Sequence, residues 1–350
     1  MTALTWLPAN AHPHPSGSID RVTPGVVRIE AAATVDITLF DDRGRLRRVN
    51  RTYTVPLGTG SGFTVAPDGV IVTATGVVRP EDDPRVYAAN RIVAEYFRQS
   101  VPADFARHRV GDGDADARLQ GCYPPYDDAS TCLVRATPTV TVFPNTEPPM
   151  GRGLPGVVAR TGGAPEAPAV VRVTHAAGRT LPTVPLAGTV PRQVTALNVI
   201  AYTGRPAAGR LPAAQTAHFE PAGSRTFKQE DRDRLTRLLG QGGNGGALVD
   251  NANSDVVAVM AADARGRLTA TPVEDVRATL RAVGVGARRG PVDVVYETAL
   301  AQYHTRHYGN SVPILRQVLR LRPDHAVAAE HLRTAMARRG TAADAGADDG

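Results

Sequence analysis

Apolar and polar residues alternate with a period of two through much of the first half of the chain, the spacing that places one face of a strand on a core. Val26-Val27-Arg28-Ile29, Val35-Asp36-Ile37-Thr38-Leu39-Phe40 and Thr52-Tyr53-Thr54-Val55 read as strands, and Asp41-Asp42-Arg43-Gly44 reads as a turn between two of them. Gly58-Thr59-Gly60-Ser61-Gly62-Phe63-Thr64-Val65, the turn Ala66-Pro67-Asp68-Gly69 and Val70-Ile71-Val72-Thr73 predict a hairpin. The period then changes. Val86, Ala89, Val93, Tyr96 and Phe97 share one helical face. Residues 111–137 read as polar loop, and strand texture returns at 168–173 and 194–200. A charged helix is predicted over 229–239, ahead of the cluster Gly240-Gln241-Gly242-Gly243-Asn244-Gly245-Gly246. Strands follow at 247–250 and 256–260, and beyond Pro291 a helical period runs to about Arg339.

Composition narrows the classes. At roughly 150 residues per domain, 350 residues suggest about two domains, and 42% hydrophobic residues supply a core. The 34 Gly and 28 Pro among abundant Val and Thr favour short strands joined by tight turns. No apolar run nears the roughly 18 residues of a membrane span, so no membrane partner is expected. The net charge of +6 comes almost entirely from arginines read as scattered, and aromatics are 5%, so nucleic-acid binding is not expected either. Two cysteines exclude a disulfide scaffold and a cysteine-rich zinc module.

Metal and cofactor motifs fail on context. His12 and His14 lie in a Pro-rich lead-in, and Asp112-Gly113-Asp114-Ala115-Asp116 lacks the glycine and closing glutamate of a calcium loop, so it reads as a solvated acidic loop. Gly240-x-Gly242-x-x-Gly245 matches a dinucleotide fingerprint in letters only. That motif follows a strand and opens a helix, whereas here the predicted helix comes first. No metal or cofactor is expected.

Three segments together resemble trypsin-like serine proteases of the HtrA type. They are Gly58-Thr59-Gly60-Ser61-Gly62-Phe63 with Val72-Thr73-Ala74-Thr75-Gly76-Val77-Val78, then Ala167-Pro168-Ala169-Val170-Val171-Arg172-Val173 with Leu181-Pro182-Thr183-Val184-Pro185-Leu186, then 242–250. The resemblance implies a mainly β fold of two six-stranded antiparallel barrels over 21–285, with a helix and loop insertion at about 90–145. In that family these segments carry the general base, the orienting carboxylate and the nucleophile. The matching positions here are Gly76, Ala167 and Asn244. Glycine has no proton acceptor, alanine orients nothing, and an amide does not attack a carbonyl. Ser61 reads as structural, Glu166 adjoins the lost carboxylate with no imidazole to orient, Thr75 has no evident base, and His108, His175 and His218 read as surface histidines. The backbone at Gly242, Gly243 and Asn244 is the candidate remnant of an oxyanion site.

Residues 291–339 resemble a tetratricopeptide repeat with a capping helix: Tyr296, Ala299, Leu300 and Tyr303 on one helix, Tyr308 to Leu321 on the next, and Pro323-Asp324 at its close. Ser311 and Arg306 depart from the repeat's Ala and Gly, and His304 and His307 read as solvent-facing. Residues 1–20 and 340–350 are expected to be disordered tails. The functional expectation is a catalytically inactive trypsin-like protein that binds a peptide or protein through its cleft and helices. The alternative is a serine endopeptidase using displaced residues. Relatives of this type work mostly outside the cytoplasm, where Cys122 and Cys132 would close a disulfide. With no export signal visible, the cytoplasm is the expected compartment, and export the alternative if the chain starts further upstream.

Overall fold

The computed structural model describes residues 17–41, 45–79, 81–126, 131–174, 180–190, 196–218, 226–263 and 265–345. The alternating pattern builds six antiparallel strands: β1 (Val26–Asp41), β2 (Arg47–Ala66), β3 (Val70–Ala74), β4 (Cys132–Pro144), β5 (Leu154–Arg160) and β6 (Pro168–Val173). They close into a barrel in the order β1-β2-β3-β6-β5-β4. Val27, Ile29, Ile71, Val142 and Val171 share one face of it, each at most 1% exposed. At the tight β2–β3 turn Gly69 takes φ +89°, a conformation that suits glycine. β4 belongs to the barrel, so the last part of the stretch assigned to an insertion is a barrel strand.

The second half corrects the two-barrel expectation. β7 (Ala196–Ala201), β8 (Ala213–His218), β9 (Gly246–Asp250), β10 (Val256–Ala262) and β11 (Leu268–Pro272) form an open sheet in the order β11-β10-β9-β7-β8. The segment 181–187 crosses the junction without joining a ladder. Its amides at Leu181 and Val184 donate to Pro67 O and Thr64 O of the barrel, while Leu186 makes one isolated parallel bridge to Val256. Pro182 and Pro185 have no amide to donate, which keeps this segment out of regular pairing. One continuous apolar cluster, running from Ile29 and Phe63 to Tyr202, Val249 and Val259, joins barrel and sheet.

Helices make the architecture mixed rather than mainly β. They are α1 (Gly17–Val22), α2 (Thr75–Val78), α3 (Pro84–Tyr96), α4 (Gly113–Leu119), α5 (Gln229–Leu238), α6 (Val273–Ala282), α7 (Pro291–His304), α8 (Tyr308–Leu321) and α9 (Ala326–Arg338). α3 and α4 cover the β1–β2 hairpin with a second core of Ile37, Leu39, Ile92, Val93 and Leu119. The buried Asn90 stitches this layer: its Nδ2 donates to Asp104 O (2.9 Å) and Ala106 O (2.8 Å), and its Oδ1 accepts from Tyr123 Oη (2.8 Å). Cys122 and Cys132 are joined by a disulfide with Cα atoms 5.1 Å apart. The acidic run at 112–116 is the start of α4 rather than loop, because Asp112 caps the helix by accepting the amides of Asp114 and Ala115.

The C-terminal helices pack on the β domain through polar side chains. Asp293 is buried and accepts from Thr183 N (3.0 Å), Thr183 Oγ1 (2.5 Å) and Gly290 N (2.7 Å). α1 lies against α7 and α9, so residues 17–20 of the segment expected to be disordered are helical. Asp20 Oδ2 sits 3.2 Å from His304 Nε2 and 3.4 Å from His331 Nε2, and Arg21 pairs with Glu297 (3.0 Å) and Asp255 (3.3 Å). Burial opposes ionisation of Asp20, but the two histidines win and draw its pKa down to about 2. His304 therefore faces Asp20 rather than solvent, while His307 is half-buried and hydrogen-bonded to Thr305. Arg306 takes φ +64°, the left-handed residue that ends α7. Within the expected C-terminal tail, Asp344 is buried and accepts from Tyr308 N (3.0 Å) and Gly340 N (2.8 Å). The rest of both tails, and His12, His14 and His175, lie outside the described residues.

Candidate functional site

The cleft between barrel and sheet is built from backbone. α5 runs into a π-type turn, Leu239–Gly243, broken by Gly242 at φ +100°, and Gly245 follows at φ +85°. Side chains rarely adopt these angles, which is why the turn is glycine-rich. It lies directly on β2. Ser61 N donates to Asn244 O at 2.7 Å, and a Cβ added at Gly60 would stand 2.7 Å from that same oxygen. A Cβ at Gly245 would collide with Ser61 O and Thr73 Oγ1.

Of the three positions matched to catalytic residues, Asn244 lies in this turn, and Gly76 and Ala167 adjoin each other at the α2–β6 junction. Gly76 opens α2 beside β6: Thr75 N donates to Ala167 O (2.8 Å), and Gly76 N donates to Pro165 O (2.7 Å). Gly60 would contact both the Val77 side chain and Asn244, so Gly76 and Asn244 flank one strand. The loop 161–167 folds over Gly76. A Cβ there would meet Pro165 Cβ at 3.2 Å and Pro165 O at 3.4 Å, a close contact on one side of a residue that is otherwise exposed. Thr75 Oγ1 accepts from Gly162 N (2.8 Å), which ties the loop down. Asn244 is turned inward: its Oδ1 accepts from Ala262 N at 2.8 Å.

The carbonyl of Gly242 is also engaged from below. Arg28 NH1 donates to Gly242 O (3.3 Å) and Tyr202 O (3.1 Å). Ser61 Oγ accepts from Tyr202 N (2.8 Å) and reaches Gly242 O and Tyr202 O, both at 3.3 Å. Ser61 is fully buried with its hydroxyl spent on backbone. Desolvation lowers the pKa of Arg28, with Arg205 adding to that pull and Glu30 opposing it.

Other candidates lie elsewhere. His108 Nε2 is 2.7 Å from Asp104, and His218 Nδ1 is 3.3 Å from Asp231, so each of these expected lone surface histidines has a carboxylate partner. Glu166 accepts Thr271 Oγ1 through its backbone oxygen (2.9 Å). Its residue borders an open cavity of about 470 Å³ lined by Arg160, Thr161, Ala167, Thr271 and Asp275. Among the described residues no group of three His, Cys, Asp or Glu is placed to hold a metal. A hydroxyl–imidazole–carboxylate chain does occur, Tyr296 Oη to His331 Nδ1 (3.2 Å) and His331 Nε2 to Asp20, but it is buried beneath the helices. Sequence reasoning missed Arg28 and Pro165. Arg28 left a signal, as the one charge inside the apolar run 26–29; Pro165 left none.

Comparison with known proteins adds one finding. No family model matches the chain, and no curated protein matches it. A solved structure does. The one titled "Crystal structure of Deg5" is similar at 15% sequence identity and a TM-score of 0.40, covering 75% of this chain and 90% of that chain.

Proposed function

We propose that this chain is a trypsin-like module that holds a polypeptide in its cleft without cutting it. The observation that carries the reading is that Gly76, Ala167 and Asn244 offer no hydroxyl, imidazole or carboxylate, the first two adjoining at the α2–β6 junction and the third packed on β2. A nucleophile, its base and its orienting carboxylate act only as a hydrogen-bonded set. Here the nearest hydroxyls, on Ser61 and Thr75, are bonded to backbone. The glycine turn is kept because it packs against β2, and the cavity at Ala167 is the space in which an extended chain rests. The helices α7 to α9 form a tetratricopeptide-like unit whose polar face is used to brace the β domain. The buried disulfide supports an oxidising compartment, so export is the better reading of location. No helix among the described residues is long and apolar enough to cross a membrane.

Fluorescein-labelled, denatured casein tests this. On titration with the full chain its anisotropy rises while electrophoresis shows it uncut. Cleavage, or no binding at high micromolar protein, overturns the reading.

A further inference from the structure

The β1–β2 hairpin continues well past the barrel, and its outer edge on β2 has no partner. β1 pairs with β2 from Arg47 onward, whereas β3 pairs with β2 only from Gly62 to Ala66. No backbone hydrogen bond links 47–58 to any other described segment. Alternate amides and carbonyls along 47–55 therefore face away from β1, up to Pro56, which has no amide. Such an edge invites an added strand unless it is covered or blunted. The opposite edge of the same sheet, on β4 over 132–139, is blunted: Pro138 removes a donor and the disulfide at Cys132 anchors its end.

The β2 edge also carries charge. Arg45, Arg47, Arg48 and Arg51 are all exposed, and among the described residues none of them makes an ion pair. Arg48 and Arg51 bond only to Asn50, through its Oδ1 (3.2 Å) and its backbone oxygen (2.9 Å). The acids nearby are committed elsewhere: Asp36 to Thr52, Asp41 to Tyr96, and Glu95 to Tyr53 and Arg91. Leu46 adds an apolar foothold at the tip, 73% exposed. These four arginines lie within seven residues of sequence, and the strand's alternation sets those of β2 on both faces of one open edge.

We propose that this edge docks an acidic, extended polypeptide segment as an additional strand, at a site separate from the cleft. Unpaired backbone groups and unpaired guanidiniums are satisfied together by a second backbone bearing carboxylates on alternate residues. A nucleic acid or an anionic lipid surface would neutralise the arginines but leave the amides and carbonyls of β2 to water. That asymmetry is why a peptide is favoured.

The test uses the full chain and a fluorescein-labelled decapeptide alternating Glu and Thr. Two further versions carry backbone N-methyl groups on the odd or on the even residues. A 20-base-pair duplex and phosphatidylglycerol vesicles are run in parallel. The expected result is saturable binding of the parent peptide, weakened at least tenfold by Arg47→Glu/Arg48→Glu/Arg51→Glu and by one N-methylated series but not the other. Near-UV circular dichroism checks that the variant, altered only at exposed positions, keeps its fold. Absence of binding, equal binding of all three peptides, or tighter arginine-dependent binding of the duplex or the vesicles would overturn the proposal.

Discussion

The glycine turn and the helix-docking interface solve the same problem, joining two parts of the molecule, with opposite materials. At the turn the contacts are mostly backbone: Ser61 N to Asn244 O, Gly245 N to Met260 O, and Gly242 O held by Arg28. At the interface they are side chains in pairs and triples, with Asp293, Asp20, Arg21 and Glu297 each reaching across. The hydroxyl–imidazole–carboxylate chain of Tyr296, His331 and Asp20 lies at the interface, whereas the turn region is held by backbone groups, Ser61 and Arg28. One region should be sensitive to atoms added, the other to atoms removed.

The largest effect is expected from an addition. Gly245→Ala places a Cβ against Ser61 O and Thr73 Oγ1 at a residue held at φ +85°. Strain and overpacking together should cost roughly 4 kcal/mol, read as a fall in the urea midpoint. Next is a removal: Asp293→Ala leaves the donors of Thr183 and Gly290 buried and unmatched, a loss of about 3 kcal/mol. Limited proteolysis should then release the C-terminal helices before the barrel is cut.

A pH effect sharpens the contrast. Asp20 has a folded pKa near 2, below its ordinary 3.8, so its contribution is fully present above about pH 4 and is lost as the pH falls toward 2. Acid titration of helix docking, followed by tyrosine fluorescence, should show that loss, on the order of 2 kcal/mol, and Asp20→Asn should flatten it. The smallest effect is expected back at the turn. Asn244→Ala removes one side-chain bond to Ala262 N and should cost about 1 kcal/mol or less. If Asn244→Ala proved as damaging as Asp293→Ala, the contrast between the two regions would collapse.

Much of the barrel is legible in the sequence because its strands alternate and the Pro67-Asp68-Gly69 turn specifies a hairpin. β5, β8 and β11 are not legible. Their residues, such as Ala213-Ala214-Gln215-Thr216-Ala217, have weak strand propensity and take their form from tertiary pairing. The openness of the second sheet, with edges on β11 and β8, is set by tertiary pairing that no local pattern records. Motif spacing marks Gly76, Ala167 and Asn244, and the structure sets Gly76 beside the 165–167 loop and Asn244 against β2. Pro165 leaves no such mark, because its contact with Gly76 depends on how that loop folds. The docking of α1 through Asp20 was hidden for a similar reason: a short polar helix has no apolar stripe to announce it.

The most direct test of the proposal that the cleft holds a chain without cutting it is fluorophosphonate labelling of the native chain, read by mass spectrometry. The account predicts no labelled serine at any pH from 5 to 9. A serine labelled in the native chain would contradict the account and would mark where its catalytic site lies.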